Sequence, residues 1–353
     1  MVNQRIIIIG GGLSGLTLAY QLSKRNINAK VLEASGRLGG RIQTINGKLE
    51  TPLELGATWF SEMHPNILCL ISDLGLGIYP QFSSGVSLFQ TKSFEPPQKF
   101  DVPASENPSY RIAGGTQMLI DRLASKLVKE NILLNTKAVS INEFNNTLQV
   151  QIEGGEIFEA DKVIICIPPQ LISKSISFKP ELPSELNNLL PNVQTWMAGA
   201  IKFVIEYSSP FWRDLGYSGM LYSHAGIISE MYDHTNYEGN KFGFTGFLNG
   251  GSSSYPSEIR EEFVMKQLVE LFGENAADRI SYSDKVWTDE FILEGYPIIQ
   301  RPHQNNGHRL FQENYIGGKL YFGATETSVT YPGYMEGAVT AANKIVEKIT
   351  ETL

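Results

Sequence analysis

The chain has 353 residues, 42% of them hydrophobic and 19% charged. That is the balance of a globular protein with a large core, and it excludes disordered, collagen-like and coiled-coil readings. Asp and Glu number 37 against 29 Lys and Arg, a net charge of -8 with no basic run, which argues against nucleic acid and anionic membrane as partners.

Taken in chain order, the first forty residues read as a βαβ unit: a strand over 5–9, a glycine turn, a helix over 16–24 and a strand over 29–33. The three glycines that interrupt the isoleucine run make this a strand, turn and helix rather than a signal peptide. A helix follows Pro65 and closes at Gly75, and residues 80–110 turn Ser-, Pro- and Phe-rich without a clear period. Gly114-Gly115 precedes a helix over 117–130, then short strands at 132–134, 138–141 and 148–152 lead to a buried strand over 162–167, stopped by Pro168-Pro169. Between 180 and 284 the composition is aromatic, with strands at 200–207, 220–222 and 242–247. A helix over 258–272 follows, capped by Ser257 and ended by Gly273, with Ile259, Phe263, Val264, Leu268, Leu271 and Phe272 expected in the core. A strand over 319–322 and a final helix with Ala338, Ala341, Ala342, Ile345, Val346 and Ile349 on one face complete the chain.

This order predicts a mixed α/β fold: a Rossmann-like dinucleotide-binding domain from 1–79, 111–180 and 285–353, and an inserted mixed-sheet-plus-helices domain from 80–110 and 181–284. No apolar run reaches the roughly 18 residues a spanning helix needs, so the protein is expected to be soluble, as a monomer or homodimer. Cys69 and Cys166 lie far apart, and Cys166 sits in an apolar run where a thiol packs as a small hydrophobe, consistent with a reducing, cytoplasmic compartment. The five histidines show no spacing with acids or cysteines that suits a metal, and no metal site is expected.

Gly10-Gly11-Gly12-Leu13-Ser14-Gly15 carries the dinucleotide fingerprint, with Gly10 for the turn, Gly12 for approach of a pyrophosphate and Gly15 for helix-on-sheet packing. Glu33, at the end of the next strand, is placed to accept the ribose hydroxyls. Gly36-Arg37-Leu38-Gly39-Gly40-Arg41 is a second glycine-and-arginine loop, either a solvated turn or a cradle for the diphosphate of a longer cofactor; its position after Glu33 favours the cradle. In the strand over 201–207, Lys202 shares a face with Glu206, which from periodicity alone reads as solvated as readily as catalytic.

These motifs resemble the flavin-containing amine oxidase family, the monoamine and polyamine oxidases. Further carriers of the resemblance are Glu54-Leu55-Gly56-Ala57-Thr58-Trp59, Ile201-Lys202-Phe203 with Pro210-Phe211-Trp212-Arg213, and Phe322-Gly323-Ala324-Thr325-Glu326-Thr327 with Gly333-Tyr334-Met335-Glu336-Gly337-Ala338. The resemblance spans nearly the whole chain. It implies FAD, hydride removal from the carbon next to an amine nitrogen, hydrolysis of the imine product and reoxidation of the flavin by O2 to give H2O2.

By resemblance, Gly39, Gly40 and Arg41 join Gly10, Gly12, Leu13, Ser14, Gly15, Glu33, Ala34 and Arg37 at the cofactor. So do Gly56, Ala57, Thr58, Val139, Trp287 and Gly323, with Glu326 at the ribityl chain and Gly333, Tyr334 and Met335 opening the last helix toward the flavin. That helix start would face the negative charge of a reduced flavin. Lys202 is implied as the lysine that assists oxygen chemistry, Tyr334 and Tyr296 as the aromatic pair flanking the amine, and Trp59 as a cavity-lining residue. The segment after Trp287 has no cysteine, so FAD is expected to be non-covalent. The chain is also shorter than typical members and is expected to carry no C-terminal membrane anchor; its shortness predicts a trimmed, more open substrate domain. Two other readings stand beside an amine oxidase: an FAD-dependent dehydrogenase or desaturase acting on a carotenoid or tetrapyrrole, and a flavin-binding protein without turnover.

Overall fold

The computed structural model describes residues 4–103, 107–288 and 301–351. At its centre is a five-stranded parallel sheet in the order Leu320–Phe322, Lys162–Ile165, Ile6–Ile9, Ala29–Leu32, Ile132–Leu133. The isoleucine run explains its place: a strand covered on both faces needs apolar residues at every position. Ile6 and Ile8 pack with Leu18, Leu22, Ala342, Ile345 and Ile349 of the helices Leu13–Ser23 and Met335–Thr350. Ile7 and Ile9 face the opposite core of Ile141, Val150, Leu186 and Leu190.

Gly15 makes the first helix possible. A Cβ there would stand 2.0 Å from the Gly10 carbonyl oxygen, a distance no side chain tolerates. Gly15→Ala is therefore expected to cost about 1–3 kcal/mol by overpacking against backbone that cannot yield, read as a lower denaturation midpoint with an unchanged slope.

A four-stranded sheet, Ile157–Ala160, Thr147–Ile152, Ala138–Phe144 and Ser177–Lys179, lies beside this unit. The third large sheet has seven strands in the order Ser281–Val286, Ile201–Tyr207, Phe242–Leu248, Ile228–Asp233, Tyr217–Ser223, Val86–Gln90, Gln98–Asp101. The stretch read as irregular thus supplies two strands of this sheet, and at its borders Ile78–Pro80 pairs with Tyr110–Ile112. Their alternation is masked because polar residues occupy buried positions: Ser87 bonds Ser218 at 2.8 Å, and Gln90 Oε1 accepts from Ser223 Oγ and Gln267 Nε2, both at 2.9 Å.

The helix Ser257–Phe272 covers one face of this sheet. Its buried stripe is rotated from the expected one, because Arg260 and Gln267 are inside while Ile259 and Phe263 are exposed. Arg260 clasps Asp284 with bonds of 2.8 and 2.6 Å, and Gln267 Oε1 accepts from the Ile227 and Ile228 amides. Polar partners waiting on the sheet decide the stripe. Ser257 opens the helix, with Pro256 at the cap position.

Candidate functional site

A cleft of about 530 Å³ opens at the carboxyl ends of the parallel strands, lined by Ile9, Leu32 and the Cys166–Pro168 turn. This is where open α/β sheets place ligands. Gly10 takes a φ of +109° that only glycine holds without strain. Gly12 precedes the helix with no side-chain cap, and a Cβ on it would meet nothing nearer than the Gly39 carbonyl at 4.0 Å. The first-turn amides and this open glycine leave a helix start of the kind that a phosphate group would fit.

The second glycine loop folds onto the first, Gly39 N donating to the Gly11 carbonyl at 2.9 Å. Arg37 is a clamp for its own loop, bonding the carbonyls of Ile42 at 3.0 Å and Gly40 at 2.5 Å. Glu33 Oε2 accepts from Gly11 N at 2.7 Å, while Oε1 accepts from Ser35 N at 2.9 Å and Ser35 Oγ at 2.7 Å. One lone pair of Oε2 stays open for a hydroxyl donor. Arg41 Nη1 stands 2.7 Å from Glu326 Oε1 as an ion pair. Glu326 is fully buried, and its Oε2 has no hydrogen-bond donor among the described residues. A buried carboxylate oxygen without a donor is what a ligand hydroxyl at this spot would satisfy. The open glycine, the ribose-competent acid and this orphaned oxygen fit a flavin dinucleotide.

The cleft brings together most of the residues named from sequence. Leu13, Ser14, Ala34, Gly40 and Ala57 line it, as do Gly333, Tyr334 and Met335 from the start of the last helix. Others stand just behind: Ser14 Oγ donates to the Gly323 carbonyl, Trp287 Nε1 donates to the Leu55 carbonyl at 2.7 Å, and Val139 follows the lining residue Ala138. Gly15 supports the turn from below, and Gly56 and Thr58 flank Ala57. Sequence reasoning missed Thr136, Lys137, Thr325 and Lys285, which also line the cleft. Lys285 Nζ bonds Gln43 Oε1 at 2.9 Å and lies 4.0 Å over the Trp287 ring; its place two residues before the tryptophan was the available signal.

Lys202 is not solvated. All seven residues of its strand are buried, and Glu206 accepts from Leu49 N, Thr51 N and Ser281 Oγ. Lys202 Nζ donates to the Gly56 carbonyl at 2.7 Å and to Thr58 Oγ1 at 2.5 Å, 4.8 Å from the centre of the Trp59 ring. Burial drives its pKa down to about 7, against the pull of the Glu54 carboxylate. Glu54 is itself pushed up by burial, and Thr44 Oγ1 and the Thr116 amide donate to it. Beside it, burial holds His234 neutral and lowers Arg111, which bonds His234 Nε2 at 3.1 Å. As a neutral amine, Lys202 still makes both bonds and keeps a lone pair.

Tyr334 sits at the cap of the last helix, 40% exposed. His303 stacks on it at 5.6 Å and His64 at 6.3 Å, with Trp196 tilted at 5.9 Å. The second ring named from sequence, Tyr296, lies outside the described residues. Trp59 meets Tyr232 edge-on at 5.1 Å and donates to Gln81 Oε1 at 2.9 Å. Among the described residues no group of three His, Cys, Asp or Glu side chains could hold a metal, and no helix is long and apolar enough to cross a membrane.

Comparison with known proteins places this geometry. The sequence profile described as flavin containing amine oxidoreductase matches residues 13–104 and 78–350. The chain is 22% identical to a probable flavin-containing monoamine oxidase A of Dictyostelium discoideum, over 99% of this chain and 98% of that one. It is 23% identical to the flavin-containing amine oxidase A of Equus caballus, over 99% of this chain and 85% of that one. Both alignments run over 454 positions, so these relatives carry internal segments that the present chain lacks. Among solved structures, putrescine oxidase bound to putrescine superposes with a TM-score of 0.84 at 19% identity. Cyclohexylamine oxidase from Brevibacterium oxydans IH-35A gives 0.85 at 20%, and each comparison covers 99% of both chains. The fold is shared with these enzymes, and the chain belongs to the flavin-containing amine oxidoreductases.

Proposed function

We propose that the protein is an amine oxidase that binds FAD non-covalently in the glycine-lined cleft and reduces O2 to H2O2. The observation that carries the reading is the convergence of three features on one cleft: the open Gly12 turn, the ribose-competent Glu33 and the helix start at Gly333–Met335. Segments 1–79, 111–180 and 285–353 would hold the cofactor, and 80–110 with 181–284 the substrate. Both cysteines are free thiols, which suits a reducing, cytoplasmic compartment. Relatives named for amine oxidation favour this reading over a desaturase or a non-catalytic flavin protein.

Bound there, FAD would supply the hydride acceptor for the carbon next to the amine nitrogen and the route for the electrons to O2. Glu33 would hold its ribose hydroxyls and the first-turn amides its pyrophosphate. Tyr334, with Tyr296 as its partner ring, presents an electron-rich face to the amine, and apolar surroundings favour the neutral, reactive amine. The amides opening the last helix face developing negative charge. Lys202, poised near neutrality, assists the oxygen step. The imine leaves and hydrolyses in water.

Aerobic incubation of the flavin-loaded protein with a panel of amines should consume O2 and release peroxide in equal amounts. Amine-dependent flavin reduction without peroxide would point to a dehydrogenase with another electron acceptor, and would contradict the oxidase assignment.

A further inference from the structure

Tyr334 has a pinned backbone and a ring without hydrogen bonds. Thr325 Oγ1 accepts from Gly333 N at 3.0 Å and donates to the Tyr334 carbonyl at 2.8 Å, which fixes the start of the last helix. Among the described residues the phenol hydroxyl makes no hydrogen bond, so the tilt of the ring is set by what packs on it. His64 does so from a distant segment. Its imidazole is inclined by 27° to the Tyr334 ring with 6.3 Å between centres, and it stands edge-on to Tyr331 at 4.8 Å.

The imidazole is itself held. His64 Nδ1 accepts from Ser61 N at 3.0 Å, which in the neutral ring leaves the proton on Nε2. Pro65 then opens the helix Pro65–Asp73, and the next amides, Asn66 N and Ile67 N, donate to the Glu336 carboxylate of the last helix at 3.1 and 2.8 Å. One carboxylate thus ties the helix start beside His64 to the helix start that carries Tyr334. The other titratable groups around the imidazole are the Tyr331 and Tyr334 phenols, Glu62 on its own loop, bonded by the Tyr110 hydroxyl at 3.1 Å, and His303, which stacks on the same Tyr334 ring. Burial disfavours the imidazolium and outweighs the pull of Glu336, so the His64 pKa lies below the ordinary 6.5. The ring is neutral at pH 7.

We infer that His64 is a positioning residue for amine binding: its neutral ring holds the Tyr334 ring in place, and its protonated ring turns away an amine that arrives charged. The inference rests on the amine-oxidase reading above and adds to it a lower pH limit set by this chain rather than by the substrate. The electron-rich face of a tyrosine attracts a cation. An imidazolium packed on the same ring draws on that attraction and repels a second positive charge brought to it.

The test uses an alkyltrimethylammonium ion, whose charge is the same at every pH, so that any pH dependence of its binding belongs to the protein. Calorimetry on the flavin-loaded wild type should show affinity falling about tenfold from about pH 7.5 to about pH 5, with its midpoint below 6.5. His64→Phe keeps a ring on Tyr334 that takes no proton, and its affinity should stay level over that range. His64→Asn keeps an acceptor for Ser61 N without the ring. Its affinity should also stay level, and at about pH 7.5 its KM for an amine should rise about fivefold with less change in kcat. Either variant alone removes the titration, so the outcome does not depend on both folding. A fall in affinity that survives these substitutions overturns the inference and passes the titration to another group such as His303; amine oxidation by the same protein leaves the oxidase reading standing. A fall that depends on His64, in a protein that oxidises no amine, supports the role of His64 and overturns the oxidase reading. Wild-type affinity that is level with pH, or no binding of the probe, overturns the inference outright.

Discussion

Gly12→Ala should yield a folded protein that no longer retains flavin. Gly12 has φ -80° and ψ -177°, ordinary extended backbone that alanine adopts freely, and the added methyl would meet only the Gly39 carbonyl oxygen, at an unstrained 4.0 Å. Stability should be unchanged or raised by about 0.4–1 kcal/mol, because the unfolded chain loses freedom. The methyl instead enters the cleft where the pyrophosphate must approach the helix amides. A weakening of FAD binding by about 100-fold or more, near 2.7 kcal/mol, is expected, measured by quenching of flavin fluorescence on titration with the apoprotein. Thermal melts of the apoprotein serve as the control. Wild-type affinity in this variant would remove the pyrophosphate from the fingerprint turn. Gly15→Ala, three residues on, should behave in the opposite way, because its methyl meets backbone and not the cleft.

Lys202→Met should separate stability from oxygen chemistry. The buried lysine has its pKa lowered to about 7 from an ordinary 10.5, so below pH 7 the fold carries the full cost of a buried ammonium. Between about pH 7 and 10.5 the unfolded chain binds the extra proton, and wild-type stability rises with pH through that window. The methionine variant lacks this dependence. It should be the more stable protein at pH 6, with an advantage that shrinks as pH rises toward 10, read by denaturant melts across that range. The oxygen step should nevertheless slow by on the order of 10²-fold, the usual effect of removing one preorganised polar group, while anaerobic flavin reduction changes less. Stopped-flow reoxidation resolves the two, and an unchanged oxygen step would remove Lys202 from that role.

The parts legible in the sequence are those whose physics is local. Gly10 and Gly15 are dictated by one turn and one helix-strand contact, and four successive isoleucines cover two faces of a parallel sheet, so the fingerprint and its sheet can be read without any partner. Lys202 could not be placed that way. Its burial depends on the hairpin over 44–54, whose Leu53 packs on Val204 together with Leu55 just beyond it, and whose continuation delivers Gly56 and Thr58 to its amine. The strands Val86–Gln90 and Gln98–Asp101 were hidden because Ser87 and Gln90 are buried by partners more than a hundred residues away. The ring array at Tyr334 likewise draws His64, Trp196 and His303 from three distant segments.

A flavin held in this cleft should oxidise amines. The most direct measurement is the visible absorption spectrum of the purified protein, recorded without oxygen before and after adding amines. An oxidised flavin spectrum that bleaches with amine and returns on admitting air is the predicted result. A flavin spectrum that no amine changes, or a protein that binds no flavin, would contradict it.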